Sequence, residues 1–144
     1  RSAALNMVLT ETGAAKAVSK ALPQLSGKLT GNAVRVPTPD VSLAILNLNA
    51  KRKTSVEEIN EALRAASLSG ELIEQIQYSD SFELVSSDMI GSASTSIVDG
   101  PSTLVSENNE SMVVYVWYDN EYGYSRQVIR YAKFLSKVRR LTYY

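Results

Sequence analysis

The residues best suited to chemistry lie in one short segment, Trp117-Tyr118-Asp119-Asn120-Glu121-Tyr122-Gly123-Tyr124-Ser125. It holds an amide, two carboxylates and three tyrosines, a density of polar aromatic groups that packing alone does not require. The apolar residues 112–116 before it predict a buried strand, and residues 126–129 begin a helical pattern. Strand-to-helix junctions place polar side chains where a sheet opens onto a ligand. The alternative is a helix capped by Asp119 or Asn120, with tyrosines on the surface.

Two further positions could bind an anion. Thr12 and Gly13 stand at the predicted start of a helix, where backbone N–H groups and the helix dipole attract negative charge. An ordinary threonine cap explains the same two residues. Arg35 is a lone positive charge between Val34 and Val36 in an apolar strand, and an arginine half-buried in this way needs a partner. That partner is either a ligand or a carboxylate in an ion pair.

The composition limits the available chemistry. The 144 residues include no cysteine, which excludes disulfides, thiolate catalysis and zinc–thiolate sites, and we predict no metal site. They include no histidine either, so no side chain has an unperturbed pKa near neutrality. Fifteen basic and fifteen acidic residues cancel, so no global field draws the chain to nucleic acid or to a membrane surface. An apolar content of 44% suits one soluble domain, and no apolar stretch is long enough to cross a bilayer.

Periodicity and turn residues predict the elements that must position these groups. A helix over residues 13–22 begins near Thr10 or Thr12 and ends before Pro23. A capping box over residues 55–58 opens a second helix that ends near Gly70. The predicted strands cover residues 32–38, 41–49, 73–78, 94–99, 103–106 and 112–118. Strands in succession with a few long helices predict an α+β fold, in which a mixed or antiparallel sheet carries helices on one side, within a single domain over residues 1–144.

The last predicted element is a long helix that follows the junction. Its apolar face carries Val128, Ala132, Leu135 and Val138. A stripe of cations runs along it, formed at spacings of four, three and four by Arg126, Arg130, Lys133 and Lys137, and then by Arg139 and Arg140. A nucleic-acid footprint is one interpretation of the stripe. The neutral net charge and the lack of interleaved aromatic residues favour a solvated face whose cations complement the helix dipole.

Three segments in order carry a resemblance to a known family. They are the run Thr12-Gly13-Ala14-Ala15-Lys16-Ala17-Val18, the run Gly27-Lys28-Leu29-Thr30-Gly31 leading into Arg35-Val36-Pro37-Thr38-Pro39, and the nonapeptide 117–125. Val85-Ser86-Ser87-Asp88 is a weaker fourth match. Together they resemble the phosphorylating glyceraldehyde-3-phosphate dehydrogenases, up to about Leu135. Leu9 and Asp40 depart from the commonest family pattern. The resemblance implies a fragment of the catalytic domain, without the N-terminal dinucleotide-binding domain.

The resemblance also implies roles for individual residues. Thr12 and Gly13 match the family's site for inorganic phosphate, where a hydroxyl and an amide donate to phosphate oxygens. Arg35 matches the residue that binds the substrate phosphate, a task that suits its planar fork of donors. Asn120 matches the residue that hydrogen-bonds the nicotinamide carboxamide, and Tyr124, one helical turn further on, matches a tyrosine lining the nicotinamide pocket. Arg1 falls where the family's basic S-loop runs toward the phosphate sites, and several arginines of that loop are possible counterparts.

By resemblance, the parent protein converts D-glyceraldehyde 3-phosphate, NAD and inorganic phosphate to 1,3-bisphosphoglycerate and NADH. The family uses a cysteine thiolate and a histidine, and this chain has neither, so we expect no catalytic residue within it and no activity from it alone. NADP stays open as the cofactor, because the residues that read the ribose 2′ position lie in the missing domain. An erythrose-4-phosphate dehydrogenase is the nearest alternative, and a non-catalytic binding or scaffold module is the alternative from another class.

The expected partners follow from the same resemblance. It implies a cytoplasmic homotetramer that binds a sugar phosphate and inorganic phosphate, with no membrane and no nucleic acid among its partners. The apolar residues 43–48 and 112–117 lack clean alternation with polar ones, which predicts a sheet covered on both faces. The predicted helices can cover only one face. We therefore expect the other face to be an association surface.

Overall fold

The computed structural model describes residues 2–138, which fall into two compact units, one up to Pro39 and one from Asp40 onward. The first unit is an antiparallel strand pair with one helix. Strand β1 (Val8–Glu11) pairs with β2 (Asn32–Arg35), and helix α1 (Ala14–Ala21) lies between them in the chain. Short 3-10 helices cover Ala3–Leu5 and Pro23–Leu25. The single domain predicted over residues 1–144 stays a prediction.

The second unit is built on a five-stranded mixed sheet. Its strands are β3 (Ser42–Asn49), β4 (Ile76–Ser79), β5 (Ser96–Asp99), β6 (Leu104–Val105) and β7 (Ser111–Tyr118). Strand β3 pairs with β7 along its whole length, β5 and β6 pair with β7 as well, and β4 completes the order β3-β7-β5-β4. The β4–β5 pair is parallel and the other pairs are antiparallel. Together with the helices, this mixed sheet confirms the α+β class.

Two helices belong to the second unit. Helix α2 (Val56–Leu68) begins after Ser55, whose hydroxyl oxygen accepts a hydrogen bond from the backbone N–H of Glu58 at 3.2 Å. The predicted cap is therefore correct, although the Glu58 carboxylate accepts from Arg52 and Thr54 instead of completing the box. Helix α3 (Asn120–Leu135) begins six residues before the periodic pattern at Arg126, because Asp119 caps it directly at the end of β7. None of the helices described over residues 2–138 is both long and apolar enough to cross a lipid bilayer.

The hydrophobic core is small and lies at the centre of the sheet. Ile97 and Val98 of β5 are 1% and 2% exposed, and Val114 of β7 and Met89 are buried beside them. The outer strand is open, because the apolar side chains of β3 are exposed on both of its faces, namely Leu43, Ile45, Leu46 and Leu48. Helix α3 likewise exposes the apolar face predicted for it, including Val128 and Leu135. Large apolar surfaces of the second unit are therefore not covered by its own described residues, 40–138.

Each of the six predicted strands is present, but several begin or end at other residues than predicted. Strand β1 was missed, since its four residues carry no period-two pattern strong enough to stand out. Strand β2 ends at Arg35, before the proline-rich corner, whereas the prediction ran on to residue 38. Strands β4 and β5 begin two or three residues later than predicted. Strand β7 and the turn that leads into it from β6 match the prediction closely.

Candidate functional site

The start of α1 has the local geometry of an anion site. Thr12 follows β1 directly, and Gly13 is the N-cap of the eight-residue helix. The first turn of any helix leaves backbone N–H groups without partners inside the helix. Here the N–H of Ala14 donates to the hydroxyl oxygen of Thr12 at 3.2 Å, so Thr12 closes a turn just before the helix. Its hydroxyl hydrogen remains a donor. Gly13 is exposed, and no atom lies within 4 Å of the place a Cβ would take, so a ligand can approach the backbone closely.

Arg35 is the last residue of β2 and is exposed to solvent. Among residues 2–138 it forms no ion pair, so the carboxylate partner considered from the sequence is not found there. Its guanidinium group keeps its planar fork of donors available for a phosphate, the geometry that makes arginine a bidentate anion ligand. Arg35 is therefore not half-buried as expected, which removes the need for a partner, and its assignment to a ligand stays a prediction.

The register of the strand pair separates these two anion positions. Arg35 lies opposite Val8, while Glu11 lies opposite Asn32, and Thr12 follows Glu11. Thr12 and Arg35 are thus at opposite ends of the pair, roughly 13 Å apart along the strands at about 3.4 Å per residue. One phosphate group is far smaller than this separation. The arrangement suits two distinct anions, or two ends of a ligand, better than one shared phosphate.

In the second unit, Asp119 organises the beginning of α3. It is buried, at 4% exposure, and both of its carboxylate oxygens accept backbone hydrogen bonds. Oδ1 accepts from the N–H of Tyr122 and Oδ2 accepts from the N–H of Gly91, each at 2.8 Å. These donors, led by Gly91, hold the pKa of Asp119 below its ordinary value because they stabilise the charged form. The sequence identified Asp119 only as a possible cap and missed its second bond, since Gly91 lies 28 residues earlier.

Asn120 and Tyr124 lie on the outer face of α3. Gly123, between them, is buried, and a Cβ built on it would lie 3.7 Å from the carbonyl oxygen of Ser94. Residues four apart on a helix share a face, so Asn120 and Tyr124 project together, and both are exposed. Within residues 2–138 the Asn120 amide makes no hydrogen bond, which leaves its donors and its acceptor available to a ligand.

Three carboxylates gather beside this helix start. Oxygens of Asp40, Asp119 and Glu121 all lie within 4.8 Å of one another. Both oxygens of Asp119 already accept backbone hydrogen bonds, and Oδ1 of Asp40 accepts from the N–H of Val41 at 2.7 Å. Val41 has a φ of 75°, which is strained for a β-branched residue. The carboxylates of Asp40 and Asp119 thus bind backbone N–H groups, and the prediction of no metal site stays a prediction.

The cationic stripe of α3 lies along a groove of about 440 Å³. Arg126 and Lys133 line it and are exposed, whereas Arg130 pairs with Glu74 at 3.1 Å and hydrogen-bonds Gln127. Arg139 and Arg140 of the predicted stripe, like Arg1, lie outside the described residues. The described cations are solvated or paired within the chain, and the interpretation as a solvated face stays a prediction.

Comparison with known proteins identifies the class of protein that this fold and these sites define. A family described as "Glyceraldehyde 3-phosphate dehydrogenase, C-terminal domain" matches residues 1–120, so Asn120 is the last matched position and Tyr124 lies beyond it. A "Glyceraldehyde-3-phosphate dehydrogenase-like protein" of Pseudomonas aeruginosa is 57% identical over 130 residues, which are 90% of this chain and 28% of the relative. "Glyceraldehyde-3-phosphate dehydrogenase 2" of Trichormus variabilis is 47% identical over 137 residues, or 95% of this chain and 40% of the relative. "Glyceraldehyde-3-phosphate dehydrogenase" of Priestia megaterium is 46% identical over 136 residues, which are 94% of this chain and 40% of the relative.

The names of these relatives place the chain in an oxidoreductase family. The chain belongs to the glyceraldehyde 3-phosphate dehydrogenase C-terminal domain family, which confirms the resemblance carried by its three motifs. It spans between 28% and 40% of the length of these curated relatives. The chain therefore corresponds to only one part of each of these relatives.

Proposed function

We propose that this chain contributes phosphate- and nicotinamide-binding residues to an enzyme that oxidises D-glyceraldehyde 3-phosphate with NAD and inorganic phosphate, yielding 1,3-bisphosphoglycerate and NADH. The observation that carries the proposal is the pair of open anion positions in the first unit, at Thr12–Gly13 and at Arg35, in a chain of this family. The reaction needs two such positions, one for inorganic phosphate and one for the phosphate of the substrate. Their separation of roughly 13 Å along the strand pair agrees with two anions.

Each proposed residue has a defined task. The hydroxyl of Thr12 and the backbone of Gly13 donate to inorganic phosphate at the positive end of α1. Arg35 donates two parallel hydrogen bonds to the substrate phosphate and sets the distance of the aldehyde from that anchor. The side-chain NH2 of Asn120 donates to the carbonyl oxygen of the nicotinamide carboxamide, and its side-chain oxygen accepts from the carboxamide NH2. Tyr124 covers the ring from the same helix face. NAD, when bound, supplies the hydride acceptor.

The nucleophile and the base must come from outside this sequence, because it contains neither cysteine nor histidine. The 144 residues by themselves are therefore expected to be inactive. The same proposal includes a cytoplasmic location and the use of NAD instead of NADP. It also includes a preference for the three-carbon sugar phosphate over erythrose 4-phosphate. Self-association to a homotetramer also belongs to it, supported by the exposed apolar side chains of β3, which a stable monomer rarely leaves uncovered.

The test uses the complete polypeptide that carries this sequence and measures formation of reduced cofactor. Losing a charged hydrogen-bonded contact to phosphate costs about 1.5–3 kcal/mol, so Arg35→Ala should lower kcat/KM for the sugar phosphate roughly ten- to hundredfold. Arg35→Lys keeps the charge and loses the planar fork of donors, so its kcat/KM should lie between those of the parent and of Arg35→Ala. Lys20→Ala removes an exposed cation from α1 in the same unit and serves as the matched control.

The same assay separates the two ligands. Asn120→Ala should raise KM for the cofactor while the KM for the sugar phosphate changes little, and Arg35→Ala should do the reverse. Equal losses in the Arg35→Ala and Lys20→Ala variants would contradict the assignment of Arg35 to the substrate phosphate. Activity with the 144 residues alone would contradict the assignment of the nucleophile to another part of the protein.

A further inference from the structure

The bond between Asp119 and Gly91 has a consequence for the proposed cofactor site. Asp119 is the residue immediately before Asn120, and its buried carboxylate bonds two backbone N–H groups at equal distances of 2.8 Å. A buried charge is unfavourable unless hydrogen bonds offset the loss of water, and two charge-assisted bonds do so here. An ordinary helix cap needs only one of them, the bond from Tyr122. The bond from Gly91 therefore calls for a separate explanation.

We propose that Asp119 is a positioning residue, which ties the first turn of α3 to the segment around Gly91 and so fixes the direction in which the Asn120 amide projects toward the cofactor. This inference rests on the proposed role of Asn120. The cap bond from Tyr122 fixes the first turn of α3 relative to Asp119 only. The bond from Gly91 fixes Asp119 relative to another segment of the second unit.

The segment that Asp119 reaches is well anchored. Met89 is buried, at 5% exposure, and its carbonyl oxygen accepts from the N–H of Ser92 at 3.0 Å. Gly91 between them has a φ of 77°, a conformation that side-chain-bearing residues rarely adopt, and this turns its N–H toward Asp119. One turn further along the same face of the helix, Gly123 lies beside Ser94, with room for ordinary van der Waals contact. The start of α3 is thus held at two points by residues 89–94.

The chemistry of the carboxylate gives a sharp way to separate its two bonds. A carboxylate has two acceptor oxygens, whereas asparagine has one acceptor and one donor. The two N–H groups face different oxygens of Asp119, so the single amide oxygen of the Asp119→Asn variant can keep the cap bond or the bond to Gly91 in this geometry, but not both. Asn and Ser are as good as Asp at a helix N-cap, so Asp119→Asn and Asp119→Ser should both keep the helix and lose the link.

The experiment measures steady-state kinetics of the complete polypeptide with NAD, sugar phosphate and phosphate varied in turn. Asp119→Asn and Asp119→Ser should each raise the KM for NAD on the order of tenfold, with the KM for the sugar phosphate within about twofold of the parent. Ser55→Ala is the matched control, because it removes the cap of α2, a helix to which no ligand is assigned. It should lower stability and leave the KM for NAD unchanged. Circular dichroism checks that each variant is folded.

A double variant decides whether Asp119 acts through Asn120. If it does, Asp119→Asn should cause little further loss in a protein that already carries Asn120→Ala, because the amide to be positioned is gone. Additive losses would overturn the inference, as would an Asp119→Asn variant that behaves like Ser55→Ala, with reduced stability and an unchanged KM for NAD. A normal KM for NAD in the Asn120→Ala variant would instead overturn the proposed role of Asn120, and the positioning role with it.

Discussion

Replacing Trp117 with phenylalanine should destabilise the second unit through one identifiable bond. The indole Nε1–H of Trp117 donates to Oδ2 of Asp99 at 3.1 Å, and Asp99 is buried, at 8% exposure. The variant leaves that carboxylate in place without its donor. Hydrogen bonds to charged groups contribute about 1.5–3 kcal/mol, and we expect a loss of about 2 kcal/mol in the free energy of unfolding. This is a substantial part of the roughly 5–15 kcal/mol that stabilises an ordinary domain.

Urea denaturation followed by circular dichroism measures this loss. Fluorescence is unsuitable, because Trp117 is the only tryptophan in the chain. Tyr115→Phe is the matched control, since Tyr115 lies two residues earlier on the same face of β7 and its hydroxyl has no hydrogen-bond partner among residues 2–138. It should change stability by less than about 0.5 kcal/mol. In a double-mutant cycle with Asp99→Ala, Trp117→Phe should cause a smaller loss than in the parent. Additive losses, or equal effects of Trp117→Phe and Tyr115→Phe, would refute the reasoning.

Three further predictions concern the core and the start of α3. Ile97→Ala, at a position 1% exposed, should lower the free energy of unfolding by about 3–4 kcal/mol, and a loss below about 1 kcal/mol in urea denaturation would contradict its place in the core. Gly123→Ala should leave stability unchanged or raise it by up to about 1 kcal/mol, because the added methyl makes only ordinary contacts and alanine favours the helix. A clear loss in the same assay would show that the helix must approach residue 94 more closely. The N–H groups led by that of Gly91 lower the folded-state pKa of Asp119, so this carboxylate stabilises the fold above its unfolded pKa and loses that effect as the pH falls through the folded value. The stability difference between the parent and Asp119→Asn should therefore shrink in acid, and a difference independent of pH would count against the contribution of the charge.

Local features were predictable from the sequence because they depend on neighbouring residues. Helices α1 and α2 were found nearly to the residue, since their caps and stop signals are local. The nonapeptide 117–125, which begins in the last two residues of β7, predicted a strand-to-helix junction, and the structure has one. The start of α3 was placed too late because the polar first turn hides the helical period until Arg126.

The pairing of strands and the hydrogen bonds between distant residues could not be predicted from neighbouring residues. The pairing of β2 with β1 joins residues more than 20 positions apart, and β1 carries no pattern of its own. The sequence left open whether Arg35 faces a carboxylate or a ligand, and only the structure shows that it is exposed at the end of β2 without an ion pair among residues 2–138. Ile97 and Val98 of β5 are both buried because of the mixed sheet around them, and no property of β5 alone predicts this.

The sequence by itself determined the family, the absence of a thiol and an imidazole, and the identity of the residues that could bind phosphate and nicotinamide. These depend on residue types and on their order along the chain. The tertiary structure decided that Thr12 and Arg35 lie at opposite ends of a strand pair and that the Asp119 carboxylate holds α3 to Gly91. The physical reason is that hydrogen bonds and burial act between groups that folding brings together, whatever their separation in the chain.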